Sequence, residues 1–151
     1  YKGVADWGYV ANVKQIVSVP VIINGDIASK ADTEDALSQS GADGVMIGRA
    51  ALGQPWLLGE IAGTSSITGK SDPALRGEIA VKHYREMIDH YGEERGVLNA
   101  RKHLAAYVEK NSTSKTPIKQ WRSSLCQESN PLVAAQMLMD FFMKSSISKA
   151  A

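Results

Sequence analysis

The chain has 151 residues, 44% of them hydrophobic, with 17 Lys/Arg against 16 Asp/Glu and a net charge of +1, enough apolar material for one ordinary domain or two small ones. A single cysteine, Cys126, excludes an internal disulfide and a cysteine-rich zinc site. The longest apolar runs fall well short of the roughly 20 residues a helical bilayer span requires, so the expectation is a soluble, cytoplasmic protein.

The chain opens at Tyr1 without a methionine and soon enters a helical pattern, which reads as a fragment. Residues 6–17 predict a helix, with Asp6 as N-cap and Trp7, Val10, Val13, Ile16 and Val17 on one stripe. Pro20 begins an unbroken apolar run of the kind that marks a strand buried on both faces, and Asn24-Gly25-Asp26 ends it. Ser29 is placed to cap a helix running to about Ser40, which Gly41 closes in the left-handed conformation. Val45, Met46 and Ile47 predict a second strand, ending at Gly48-Arg49.

Such a β-α-β crossover is almost always right-handed, so the two strands lie parallel and their C-terminal ends share one edge. Asn24 and Gly48 are 24 residues apart, compatible with the stride of a compact (β/α)8 barrel, whose units average about 31 residues. A doubly wound sheet fits almost as well. The barrel is favoured because loops after its last two strands commonly hold a phosphate.

Gln54-Pro55-Trp56-Leu57-Leu58 predicts a short helix with Pro55 near its first turn. Residues 63–71 form a polar, glycine-containing linker, and no strand-like run follows. Four helices are expected instead: from Asp72-Pro73 to Tyr91, from about Glu94 to Lys110, from Thr116-Pro117 onward, and from Asn130-Pro131 onward. The fold class is therefore α/β plus all-α: residues 1–62 as the last two β/α units of a TIM barrel, and 72–151 as a four-helix bundle. Charge divides the same way. Residues 1–62 hold four Lys/Arg against seven Asp/Glu, and 63–151 hold thirteen against nine; this marks either a polyanionic partner of the second part or simply a solvated helical surface.

Two constellations can carry chemistry. Asn24, Gly25, Asp26, Gly48 and Arg49 sit at neighbouring strand ends, where glycine permits close backbone approach and an arginine fork can hold phosphate oxygens. Asp26 suits a ligand hydroxyl, the orientation of Arg49, or a helix cap. The competing account is a pair of tight turns with a capping residue. The second constellation is Arg101, Lys102 and His103 in one helix; consecutive positions fan over more than half the helix, so the three cannot all face one partner. Arg101 and Lys102 suit phosphate contacts, and His103 stacking or a hydrogen bond, against a solvated face with one inward histidine. His83 and His90 read as packing or surface residues, Cys126 as a small buried residue, and no His/Cys/carboxylate spacing points to a metal.

Taken together, Ala5-Asp6-Trp7, residues 19–27, residues 39–49, Gly53-Gln-Pro-Trp-Leu57 and Ala100-Arg-Lys-His103 resemble the C-terminal half of a bacterial tRNA-dihydrouridine synthase over essentially the whole chain. The resemblance implies an FMN-binding barrel followed by a helical domain that grips tRNA. NADPH reduces FMN, the reduced flavin delivers hydride to a uridine, and a cysteine on an upstream loop supplies a proton. It implies FMN phosphate contacts at Asn24, Gly25, Asp26, Gly48 and Arg49, and tRNA-side residues at Arg101, Lys102 and His103. Cys126 does not match the catalytic cysteine, so this chain alone is expected to be inactive, and its two open strands are expected to be unstable or abnormally paired. The rival readings are an RNA-binding helical module and another phosphate-binding flavin or sugar-phosphate barrel.

Overall fold

Side chains that accept backbone N–H groups fix where three of the helices begin. The computed structural model describes residues 3–64, 72–114 and 116–147; within these, Ser29 Oγ accepts from the Asp32 amide at 3.1 Å and opens α2 (Lys30–Ser40). Asp32 returns the favour by accepting from Ala28 N at 3.0 Å, a reciprocal cap. That hydrogen bond, with the one from Ser29, holds the Asp32 carboxyl below its ordinary pKa. Gly41 ends α2 at φ +64° and donates its N–H to Leu37 O, the left-handed stop that glycine adopts without steric cost.

The strands β1 (Ile22–Asn24) and β2 (Gly44–Met46) pair in parallel, Ile23 beside Val45 and Asn24 beside Met46. The open strands thus pair with each other in ordinary register rather than abnormally. Alternation sorts their faces: Ile23 is buried with Ile27 and Ala36, and Trp7, Val10, Val45 and Ile47 close over them. Ile22 and Met46 remain 57% and 56% exposed, so only one face of this sheet is covered, contrary to the two-sided burial that the apolar run predicts.

The first helix, α1 (Tyr9–Ile16), starts later than residue 6. Asp6 Oδ1 still accepts from Tyr9 N at 3.0 Å, but Trp7 lies before the helix and donates its indole N–H to Gly25 O at 2.8 Å. The predicted stripe is only partly used, since Ile16 is 83% exposed. After a 3-10 turn at Arg49–Ala51, α3 (Leu57–Ala62) begins two residues beyond Pro55.

Backbone packing divides the chain into two compact units, residues 1–69 and 70–151; the linker predicted at 63–71 lies outside the described residues except for Gly63 and Thr64. The second unit is helical: α4 (Pro73–Tyr91), α5 (Glu93–Asn111), α6 (Ile118–Gln127) and α7 (Pro131–Ile147). Asp72 Oδ1 accepts from Ala74 N and Leu75 N to start α4, and Asn130 Oδ1 accepts from Leu132 N and Val133 N to start α7. α4 packs most closely on α7 and α5, and α6 lies mainly on α5. Their core contains Tyr84, Tyr107, Leu125, Leu138, Phe141 and Phe142. The described chain is mostly helical with one two-stranded parallel sheet.

Candidate phosphate and nucleic-acid sites

In the first unit, parallel pairing brings the Asn24-Gly25-Asp26 and Gly48-Arg49 turns to the same sheet edge. Gly25 takes φ +121° and Asp26 φ +52°; a Cβ at Gly25 would lie 2.6 Å from Ala5 Cβ, so the chain's own packing demands glycine there. Asp26 is the hub of the turn. Its Oδ2 accepts from Ala5 N at 2.9 Å, and its Oδ1 meets Arg49 Nη2 at 3.2 Å. Of the three roles open to Asp26, orienting Arg49 is the one the geometry displays; Ser29, not Asp26, caps α2. The Arg49 side chain is 77% exposed, and an exposed ion pair of this kind contributes little to stability. A guanidinium carries five N–H donors, so this single contact leaves most of the fork facing outward.

Gly48 differs from Gly25. Among the described residues a Cβ built on it meets nothing within 4 Å, so their packing does not explain a glycine there. Asn24 donates its side-chain amide to Met46 O at 3.4 Å, bridging the two strand ends. Further from this edge, Asp43 Oδ2 accepts from Lys14 Nζ at 2.6 Å and Val21 N at 2.7 Å, tying α1 to the start of β1. These contacts hold the Asp43 carboxyl below its ordinary pKa, the Lys14 bond foremost.

In the second unit, α5 sends two of its three basic-motif residues into one groove and the third elsewhere. Arg101 and Lys102 line an open groove of about 470 Å³ against α6, with Lys119, Arg122, Ser123, Cys126 and Gln127 among the other walls. Lys119 and Arg122 escaped the sequence reading; their signal was spacing, three residues apart on one helix. Arg101 Nε is buried and finds no hydrogen-bond partner among the described residues. Arg122 Nη1 pairs with Glu109 Oε1 at 2.7 Å.

His103 stands apart from that pair. Its ring packs edge-on against His83 with centroids 5.0 Å apart, and His83 Nδ1 in turn lies 3.0 Å from Tyr107 Oη. Burial foremost, then the charges of His83 and Lys102, pushes the His103 pKa below its ordinary value, and burial pushes the Tyr107 phenol up to about 12. Cys126 is half-buried on the groove wall, its thiol directed at Arg101 O at 3.5 Å, and burial raises its pKa, the opposite of what an activated nucleophile needs. Among the described residues, no group of three or more His, Cys, Asp and Glu is arranged to hold a metal ion, and no helix is long and apolar enough to cross a membrane.

The sequence profile described as dihydrouridine synthase (Dus) matches residues 1–146. A protein of Rickettsia bellii (strain RML369-C) named "Probable tRNA-dihydrouridine synthase" is 38% identical over 146 residues, covering 94% of this chain and 43% of that protein. A Rhizobium leguminosarum bv. phaseoli protein of the same name is 46% identical over 110 residues, 73% of this chain and 33% of its own length. One from Mycobacterium tuberculosis (strain CDC 1551 / Oshkosh) is 39% identical over 112 residues, covering 72% of this chain and 29% of that protein. The chain thus spans less than half the length of these relatives. A match along nearly all of its residues shows that the chain belongs to the dihydrouridine synthase family.

Proposed function

We propose that this chain supplies two parts of a tRNA-dihydrouridine synthase: the phosphate-holding strand ends of an FMN-binding (β/α)8 barrel, and a helical unit that grips tRNA. The observation that carries the reading is the edge formed by Asn24, Gly25, Asp26, Gly48 and Arg49. Arg49 is held by Asp26 yet turned largely outward, beside a glycine whose missing side chain leaves room that none of the described residues fills. That combination fits a phosphate group: open space for close backbone approach, and a guanidinium fork oriented by a carboxylate.

In the proposed enzyme, FMN, reduced by NADPH, supplies the hydride that saturates the C5–C6 bond of a tRNA uridine. The residues of this chain bind and orient. Asp26 holds Arg49 in register, and Arg49 with the Gly48 turn takes the phosphate, while Asn24 braces the two strand ends. Gly25 allows the turn that brings Asp26 around. Arg101 and Lys102 take tRNA phosphates on the second unit. No residue of this chain acts as the proton donor, since Cys126 is a half-buried thiol of raised pKa on the helical unit, and the chain by itself is inactive.

The test is flavin retention. A chimera joins the preceding part of the Rickettsia bellii relative to residues 1–151, with and without Arg49→Ala. Loss of one charge-assisted contact should weaken FMN binding by about 1.5–3 kcal/mol, read by fluorescence titration of the apoprotein. A chimera that holds FMN equally well with alanine at position 49 would refute the phosphate assignment.

A further inference from the structure

We propose that the groove between α5 and α6 is a phosphodiester site in which Lys119 and Arg122, together with Arg101 and Lys102, hold consecutive backbone phosphates of one RNA strand. The inference rests on the tRNA-gripping role of the helical unit and assigns it a surface and two further residues. Four cations line one open groove of about 470 Å³, and none of its described lining residues is a carboxylate. Lys119 and Arg122 come from α6, where residues 118–127 contain no acidic side chain, so two helices contribute cations to the same channel. A solvated helix face usually intersperses charges of both signs; here four cations from two elements converge and one carboxylate, Glu109, pairs with Arg122, so the groove keeps an excess of positive charge that favours an anion.

Two further observations agree. Among the described residues the buried Nε of Arg101 finds no hydrogen-bond acceptor, and an unsatisfied charged donor is costly unless an acceptor arrives. Arg122 is held at the rim by Glu109, whose carboxylate is 50% exposed; a phosphate oxygen can replace or share that partner, since both are anionic acceptors suited to a guanidinium. The walls otherwise offer Ser123 and Gln127, small polar donors.

Cys126 makes the site measurable, because it lies in the groove wall and is the single cysteine of the chain. The experiment uses the full 151-residue chain and an unmodified tRNA transcript, with binding measured by fluorescence anisotropy at several salt concentrations. Lys119→Gln with Arg122→Gln is compared with Lys82→Gln, a control on the exposed surface of α4, and thermal melts check that each variant is folded. The double variant should weaken binding at least tenfold at about 0.1 M salt and reduce the slope of log K against log salt by about two, one for each lost phosphate contact. The control should change neither by a comparable amount. In the parent chain, saturating tRNA should slow maleimide modification of Cys126 several-fold.

Parent-like affinity and slope in a folded double variant would overturn the groove assignment while leaving the tRNA-gripping reading intact, as would a thiol rate that bound tRNA does not alter. A parent chain that fails to bind tRNA would overturn both.

Discussion

His103 shows how one side chain can look like a ligand contact in the sequence and like part of a polar interior in the fold. Its ring meets His83 edge-on, and His83 reaches Tyr107 Oη. Because burial, His83 and Lys102 lower its pKa, the fold favours the neutral ring. The unfolded chain then binds more protons, so the contribution of His103 to stability is complete above its unfolded pKa of about 6.5 and is lost as pH falls through the lower folded value. The melting temperature of the helical unit should therefore fall between pH 7 and pH 5, and fall less in His103→Gln. Thermal melts followed by helical circular dichroism at the two pH values decide this; an equal fall in both proteins would place the acid sensitivity elsewhere. The strand-end glycines were legible at this scale because turn chemistry is local. The bond of Asp26 to Arg49 was one of three roles the sequence left open, and its bond to Ala5 was not legible, since it joins residues 21 positions apart that no local pattern links.

The helices divide into ends that local chemistry fixes and faces that only packing fixes. Pro73 after Asp72, Gly92 after Tyr91 and Pro131 after Asn130 all sit at observed helix boundaries, because caps and breakers act within a turn. The inward faces were less legible. Leu98 and Leu132, apolar residues of α5 and α7, are 56% and 75% exposed, while Tyr107, which carries a hydroxyl, is 2% exposed. On α4 the buried positions are Gly77, Ala80, Val81 and Tyr84, a face in which two of the four residues are glycine and alanine and only one is large. Those small residues set the helix spacing. A Cβ at Gly96 would lie 2.8 Å from Ile88 Cα and 3.1 Å from Met87 O, and at Gly77 2.7 Å from Met139 Sδ. Backbone cannot step aside as a thioether can. Gly96→Ala should accordingly destabilise the chain by about 1–3 kcal/mol, despite the better helix propensity of alanine, whereas Gly77→Ala should fall within about 1 kcal/mol of the parent. Urea denaturation of the two variants side by side tests the contrast, and equal losses would show that α4 yields as easily toward α5 as toward α7.

At the scale of the whole chain, the two units differ in how completely they bury what they have. The largest fully buried side chains are Tyr107, Phe141, Leu125, Leu138, Val108 and Ser40, and five of these six belong to the helical unit. The sheet unit rests on a core of Ile23, Ile27 and Ala36 with partly buried neighbours, while Ile22, Met46 and Ile16 face solvent. The β-α-β order was legible from periodicity and punctuation. How much of the sheet would be covered was not, because an apolar strand reads the same whether its second face meets solvent or a partner. Local stability follows buried apolar contact, so amide hydrogen exchange in the full chain should separate the units. The amides of Ile23 and Val45 should exchange at least tenfold faster than those of Val108 and Leu138. If the preceding part of a relative covers the exposed face in the chimera, the strand amides should slow while those of α5 and α7 stay as they were. Strand protection equal to that of the helices in the isolated chain would mean that the small sheet core is sufficient by itself, and that its exposed face awaits no covering layer.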